Sequence, residues 1–226
     1  MFANSRLKVK LALGLLIALA LCLLLAYSFL FKPVQAPELQ SAVYLPEPKA
    51  LADFSLVDEQ GAEFNQQQLL GRWLLLAVGY TYCPDICPTT LASLVKFEKR
   101  LAEDGKRGEL DYAFYTLDPQ RDTPQQLQQY LAYFPIAIKG LSPKPGVSEN
   151  AFEKSLAIVK KIKSEEGGNP KAYSVSHSVY IYLINPSGRL QAIFKPQQSR
   201  SGVKNFDSAV LYSDYKNIRR FWDASS

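Results

Sequence analysis

The stretch WLLLAVGYTYCPDICP, residues 73–88, joins an uninterrupted apolar run to two cysteines four positions apart. Trp73 to Tyr80 shows no polar alternation, so it reads as a strand buried on both faces, as in the middle of a sheet covered by helices. Immediately beyond, Leu91, Leu94, Val95, Phe97 and Leu101 recur at helical spacing among Lys96, Glu98, Lys99 and Arg100, which predicts an amphipathic helix over 88–104. Cys83 and Cys87 therefore stand where a buried strand turns into a helix.

Working downstream, Leu110–Leu117 is a second strand. Asp118-Pro-Gln-Arg-Asp-Thr-Pro-Gln-Gln follows, where Thr123 can cap a helix with Pro124 in its first turn and Gln126 completing a capping box. That helix is expected to reach about Phe134, followed by a short strand at 136–139 and a helix over about 148–162. After a polar loop at 163–170, Val179–Ile184 is a strand, Asn185–Gly188 a turn, and Leu190–Phe194 the returning arm of a hairpin. A last helix spans about 206–221. Upstream, Phe54–Val57 is a short strand and Glu59-Gln60-Gly61 a turn. Strands alternating with helices, then a closing hairpin and a terminal helix, predict an α/β fold with a thioredoxin-like mixed sheet and helices on both faces.

The N-terminal part reads differently. Leu11–Phe31 runs twenty-one residues without a charge, and at about 1.5 Å per residue it is long enough to cross a hydrocarbon core of about 30 Å. Arg6, Lys8 and Lys10 precede it while Glu38 and Glu47 follow, so the basic excess predicts an N-terminus inside and the remainder outside the cytoplasm. A cleaved signal peptide is the alternative, with Val34-Gln35-Ala36 as its cleavage pattern, although the apolar run exceeds the usual signal core. Residues 32–49 hold Pro33, Pro37, Pro46 and Pro48 and read as an extended spacer. The expected organisation is a tail at 1–10, a membrane anchor at 11–31, the spacer at 32–49 and one domain at 50–226.

Composition narrows the function. The chain is 47% hydrophobic with three cysteines, enough apolar material for a core that needs no disulfide staples. Three of its five net positive charges lie in the N-terminal tail, and no long Lys/Arg run interleaved with aromatic residues exists, which argues against nucleic acid as a partner.

Chemistry is concentrated in few residues. A helix start offers unpaired amides and a partial positive charge, both of which favour thiolate over thiol, and Asp85 is positioned to cap that turn. A Cys-x-x-Cys pair is the usual redox motif of such folds; the extra residue here widens the bite and suits a metal ion, while a plain disulfide remains the structural alternative. His177, the one histidine, stands among Ser174, Ser176 and Ser178 at the entrance to the Val179–Ile184 strand. In a thioredoxin-like arrangement that entrance approaches the cysteine turn, yet a lone histidine is more often a surface residue, and position alone decides neither. Two thiolates and an imidazole suit copper. Structural zinc normally takes a fourth protein ligand, and none is evident. Cys22 lies within the apolar span, where it packs and takes no part in the chemistry.

Gly79-Tyr-Thr-Tyr-Cys-Pro-Asp-Ile-Cys-Pro88, Asp118-Pro-Gln-Arg-Asp-Thr-Pro124 and Val175-Ser-His177-Ser, with Tyr182-Leu-Ile-Asn-Pro-Ser-Gly188, resemble in order and separation three signatures of the SCO/SenC family. The resemblance spans about residues 50–225 plus the anchor, and the cysteine block is its most specific part. It implies a copper chaperone that binds one ion through Cys83, Cys87 and His177. Its recipient would be the copper-bearing subunit of cytochrome c oxidase or another copper chaperone, and the cysteine pair would also serve in thiol–disulfide exchange. Family members often carry an acidic residue just before the histidine, where this chain has Ser176. Asp118 and Arg121 read first as turn and capping residues and second, with Asp85, as the rim of the site.

Overall fold

The computed structural model describes residues 3–30, 36–144, 151–164, 173–198 and 204–225. In chain order the elements are α1 (Ala3–Leu30), β1 (Ala42–Ala50), β2 (Ser55–Asp58), β3 (Glu63–Asn65), β4 (Trp73–Gly79), α2 (Ile86–Glu103), β5 (Leu110–Thr116), α3 (Pro124–Leu131), β6 (Lys139–Pro143), α4 (Ala151–Ser155), β7 (Lys160–Ser164), β8 (Tyr173–His177), β9 (Ile181–Ile184), β10 (Arg189–Phe194), β11 (Gln197–Gln198), β12 (Lys204–Asn205) and α5 (Ser208–Ser225).

Eight strands form one sheet in the order β1-β10-β9-β4-β5-β6-β2-β3. β4, β5 and β6 are mutually parallel and the outer strands antiparallel, giving the mixed sheet expected. All seven residues of β4 are buried, as a strand central to a covered sheet requires. Side chains alternate across β5. Tyr112 and Phe114 meet Phe97 of α2 and Tyr130 of α3 on one face, and Tyr115 meets Phe152 of α4 on the other, with ring centroids 5.2 Å apart. α5 joins the α2 face, Tyr215 packing edge-on to Phe97 and Trp222 to Trp73.

α1 contains an apolar stretch, Val9–Tyr27, with a mean hydropathy of 2.7 and no burial against the rest of the chain. It is a candidate membrane span, and its composition suits lipid better than water. Phe31, expected to close that span, lies outside the described residues.

Several boundaries differ from the sequence reading. The spacer expected at 32–49 gives way to structure at Ala42, where β1 pairs with β10 along the sheet edge. Pro46 and Pro48 suggested an extended spacer, but the register shifts between Tyr44 and Lys49, and an edge strand with such an irregularity tolerates prolines that cannot donate to a ladder. A buried carboxylate fixes this entry: Asp214 of α5 accepts the amides of Gln40, Ser41 and Ala42 and the Ser41 hydroxyl, all within 2.9 Å. The strand expected at 136–139 begins at Lys139, and α3 ends at Leu131. Of the helix expected over 148–162, residues 148–150 lie outside the described residues and α4 covers Ala151–Ser155. Residues 160–164 instead form β7, paired with β8 in a hairpin separate from the main sheet.

Candidate metal centre

β4 delivers the chain to the C-terminal end of the parallel strands, the end at which α/β sheets commonly present their sites. Gly79 closes the strand for a steric reason: a Cβ there would lie 2.5 Å from the sulfur of Cys87 and 3.0 Å from the Phe114 ring. Only glycine leaves room for the sulfur to pack against the strand.

The helix begins at Ile86, so Cys87 is in its first turn and Cys83 lies in the loop before it. Asp85 occupies the N-cap position, but its side chain makes no capping bond, contrary to expectation. The Cys83 sulfur takes that place, accepting the Asp85 and Cys87 amides as well as the Cys87 thiol. The hydrogen bond from Cys87 is the main reason Cys83 is pulled down to about 6, the amides and the charged form of His177 adding to it against the cost of burial. Cys87 moves the other way, its thiol held protonated by its bond to the Cys83 sulfur and by burial. Both cysteines are free thiols. Cys22 is exposed on α1 and remote from them in the sequence.

His177 ends β8 and faces the cysteine turn across a cavity of about 320 Å³ whose lining includes Tyr80, Cys83, Asp85, Val175, Ser176 and His177. The imidazole stands edge-on to Tyr80, 6.3 Å between centroids. Nδ1 lies 3.0 Å from the Ser178 carbonyl. With the proton on Nδ1 donated there, the Nε2 lone pair is left free. Among the described residues no three of His, Cys, Asp and Glu stand close enough together to hold an ion.

Asp118 and Arg121 lie behind the rim. Asp118 is buried, bonded to Arg121 Nε, and accepts the Tyr173 hydroxyl at 2.6 Å. Burial, and then that bond, push the Tyr173 phenol up to about 12. Arg121 is held charged by Asp118 despite the cost of desolvation. The capping box expected at Thr123 is half formed: Thr123 accepts the Gln126 amide, but the Gln126 side chain turns to the Thr81 hydroxyl. Three contributors escaped the sequence reading. Tyr80 was read only as the end of the apolar run, Tyr173 only as the start of the segment leading to His177, and Asp122 only as part of the 118–124 turn. In the structure Asp122 is buried and accepts the amide and hydroxyl of Thr81, at 2.9 and 2.6 Å, and the Thr116 hydroxyl. Burial raises its carboxyl against these donors. A carboxylate shortly after a strand, two residues before the proline that opens the next helix, carries no signal that it reaches back to the cysteine loop.

Fold and site together define a thioredoxin-like domain presenting a Cys-x3-Cys pair, one sulfur poised as thiolate, beside a histidine on an adjoining hairpin. The SCO1/SenC family model matches residues 44–205, and the chain belongs to that family. A provisionally named copper-binding protein of Stutzerimonas stutzeri is 34% identical over 171 residues, 76% of this chain and 81% of that one. An SCO2-like protein of Rickettsia felis is 30% identical over 79% of this chain and 87% of its own length. Among solved structures, Arabidopsis thaliana ScoI with copper bound superposes with a TM-score of 0.63 at 29% identity, over 76% of this chain and 99% of that one. Yeast Sco1 with copper bound gives 0.64 at 26%, over 76% and 90%.

Proposed function

We propose that this chain is a membrane-anchored copper carrier that takes one ion on Cys83, Cys87 and His177. It passes the ion to the copper-bearing subunit of cytochrome c oxidase, or to another copper chaperone, during assembly of the oxidase. The single observation that carries the reading is the Cys83 thiolate beside Cys87 at the start of α2, facing His177 across a shared cavity. Two soft sulfurs and an imidazole are a copper donor set, and the solved Arabidopsis thaliana and yeast relatives were determined with copper bound. Cys83 is ready to receive the ion; Cys87 must release its proton as the metal arrives, so loading acidifies the medium. His177 then completes the site by moving toward the sulfurs, which is open to it because β8 lies outside the main sheet. The charge asymmetry around α1 supports an N-terminus in the cytoplasm and a domain on the outer face of the inner membrane.

One specific observation favours a second reading. A low-pKa sulfur beside a protonated thiol is also the arrangement of a thiol–disulfide oxidoreductase, the first attacking and the second resolving. The test uses the full chain in detergent with Cys22→Ser in the background. The reduced protein should bind one Cu(I) per chain, and oxidation of the cysteine pair should abolish binding. Replacing Cys83 or Cys87 by Ser should remove most of the affinity, while His177→Ala should weaken Cu(II) more than Cu(I). Should His177→Ala bind both oxidation states like the parent while the cysteines still exchange with a partner dithiol, the oxidoreductase reading takes precedence.

A further inference from the structure

The three ligating residues are carried by two bodies of structure. Cys83 and Cys87 belong to the end of the eight-stranded sheet, whereas His177 belongs to the β7–β8 hairpin, which shares no ladder with it. Residues 178–180 join the hairpin to β9 of the sheet, and beyond that link the distance is held by side chains. One short loop, 118–123, touches both.

Arg121 is the point of contact on the histidine side. Its Nη1 donates to the Tyr173 carbonyl at 3.0 Å, at the start of the strand that ends in His177. Its guanidinium lies 3.8 Å from the centroid of the Tyr173 ring, and Asp118 ties the two together by bonding both Arg121 Nε and the Tyr173 hydroxyl. The same guanidinium stands 4.9 Å from the Tyr82 ring and 5.7 Å from the Tyr80 ring. Those tyrosines flank Thr81 just before Cys83, and Tyr80 is the ring set edge-on to His177. The next residue, Asp122, turns to the cysteine side and fastens the amide and hydroxyl of Thr81. Consecutive side chains thus hold the two halves of the site. A guanidinium can stack on a ring while its edge donates in two fixed directions; an ammonium keeps the charge and loses that geometry.

We infer that the 118–123 loop is a clamp that sets the approach of His177 to the cysteines, with Arg121 as its positioning residue. The inference rests on the copper-binding reading above. The bland account of the same contacts is a buried ion pair that stabilises a turn, and it predicts a different pattern of effects. A stabilising turn, when broken, lowers the melting temperature and weakens both copper states alike. A clamp on the histidine acts through His177 alone.

The experiment compares Arg121→Lys, Tyr173→Phe, His177→Ala and the Arg121→Lys/His177→Ala double variant, in the full chain in detergent carrying Cys22→Ser. Cu(I) and Cu(II) affinities are read by chelator competition, nitrogen coupling in the Cu(II) resonance spectrum reports the imidazole, and thermal melting checks the fold. Arg121→Lys should weaken Cu(II) by about tenfold or more, as loss of an orienting partner does at metal sites. It should lower the nitrogen coupling and leave Cu(I) close to the parent. The double variant should bind Cu(II) no more weakly than His177→Ala, because the two changes act on one interaction. Tyr173→Phe keeps the stacked ring and removes only the bond to Asp118, so it carries the same test with a smaller loss if Arg121→Lys does not fold. Additive losses in the double variant, or equal losses of both copper states, overturn the clamp. If His177→Ala weakens Cu(II) and neither Arg121→Lys nor Tyr173→Phe does, the clamp alone falls; if His177→Ala changes nothing, the ligand reading falls with it.

Discussion

The cysteine half and the histidine half of the site are built by different means. The cysteines hang from a strand buried along its whole length, with Gly79 cut away to admit one sulfur and helix amides aimed at the other. The histidine rides on a two-stranded hairpin, pinned at one end by Lys160 to the largely buried Glu153 and at the other by Arg121 to Tyr173. One half is set by the core and tolerates little change; the other is set by side chains and can be adjusted. If the chain carries copper as proposed, this division would fix the two sulfurs and leave the imidazole on a movable arm.

The sharpest way to break the comparison is at Gly79. An added methyl would meet the Cys87 sulfur and the Phe114 ring at once, both walled in by the core. Gly79→Ala should therefore cost about 1–3 kcal/mol of stability, the usual range for overpacking, and displace Cys87 enough to weaken Cu(I) binding. Denaturant unfolding beside Cu(I) competition measures both. A variant as stable as the parent with unchanged copper affinity would mean that the cysteine half is as adjustable as the histidine half.

A smaller effect sharpens the same point by pH. In the metal-free protein, mass spectrometry of alkylated peptides should show Cys83 modified before Cys87, its rate rising through a midpoint near pH 6. Thiolate is the reacting form, so reactivity is present above that midpoint and lost as pH falls through it. Cys87→Ser leaves only a hydroxyl donor, and Cys87→Ala removes the donor altogether. In the alanine variant the midpoint should climb toward the ordinary thiol value. An unmoved midpoint would show that the amides alone hold the thiolate.

These features were unequally legible in the sequence. The buried strand, the helix behind it and the position of both cysteines follow from an unbroken apolar run meeting a 3.6-residue period, signals that are local and strong. β1 was hidden by two prolines whose cost vanishes at an irregular edge. β7 was hidden because Lys160–Ser164, carrying one apolar residue among polar ones, is stabilised by pairing with β8 and not by its own pattern. Arg121, Asp122 and Tyr173 were illegible as a unit: their partners lie 41 to 55 residues away, and nothing in local spacing encodes such a meeting. The candidate ligands were visible as residue types; the side chains that aim them were not.

The smallest expected effect concerns the two helix starts beside the site. Thr123 caps α3 with its side chain on the Gln126 amide, and Thr123→Ala should cost about 1 kcal/mol, as loss of a working cap does. Asp85 holds the same position on α2 but makes no such bond, since the amide it would have taken is already given to the Cys83 sulfur. Asp85→Ala should then cost only a few tenths of a kcal/mol, an amount typical of exposed surface changes. The pair of variants, measured by denaturant unfolding of the metal-free protein, asks whether the helix start is occupied by a carboxylate or by sulfur. Equal losses would mean that Asp85 swings in to cap α2 in solution, leaving Cys83 without the amides that keep it a thiolate. With the expected difference, the α2 terminus is reserved for the Cys83 sulfur, and the cost of an uncapped helix is offset by the sulfur that takes its amides.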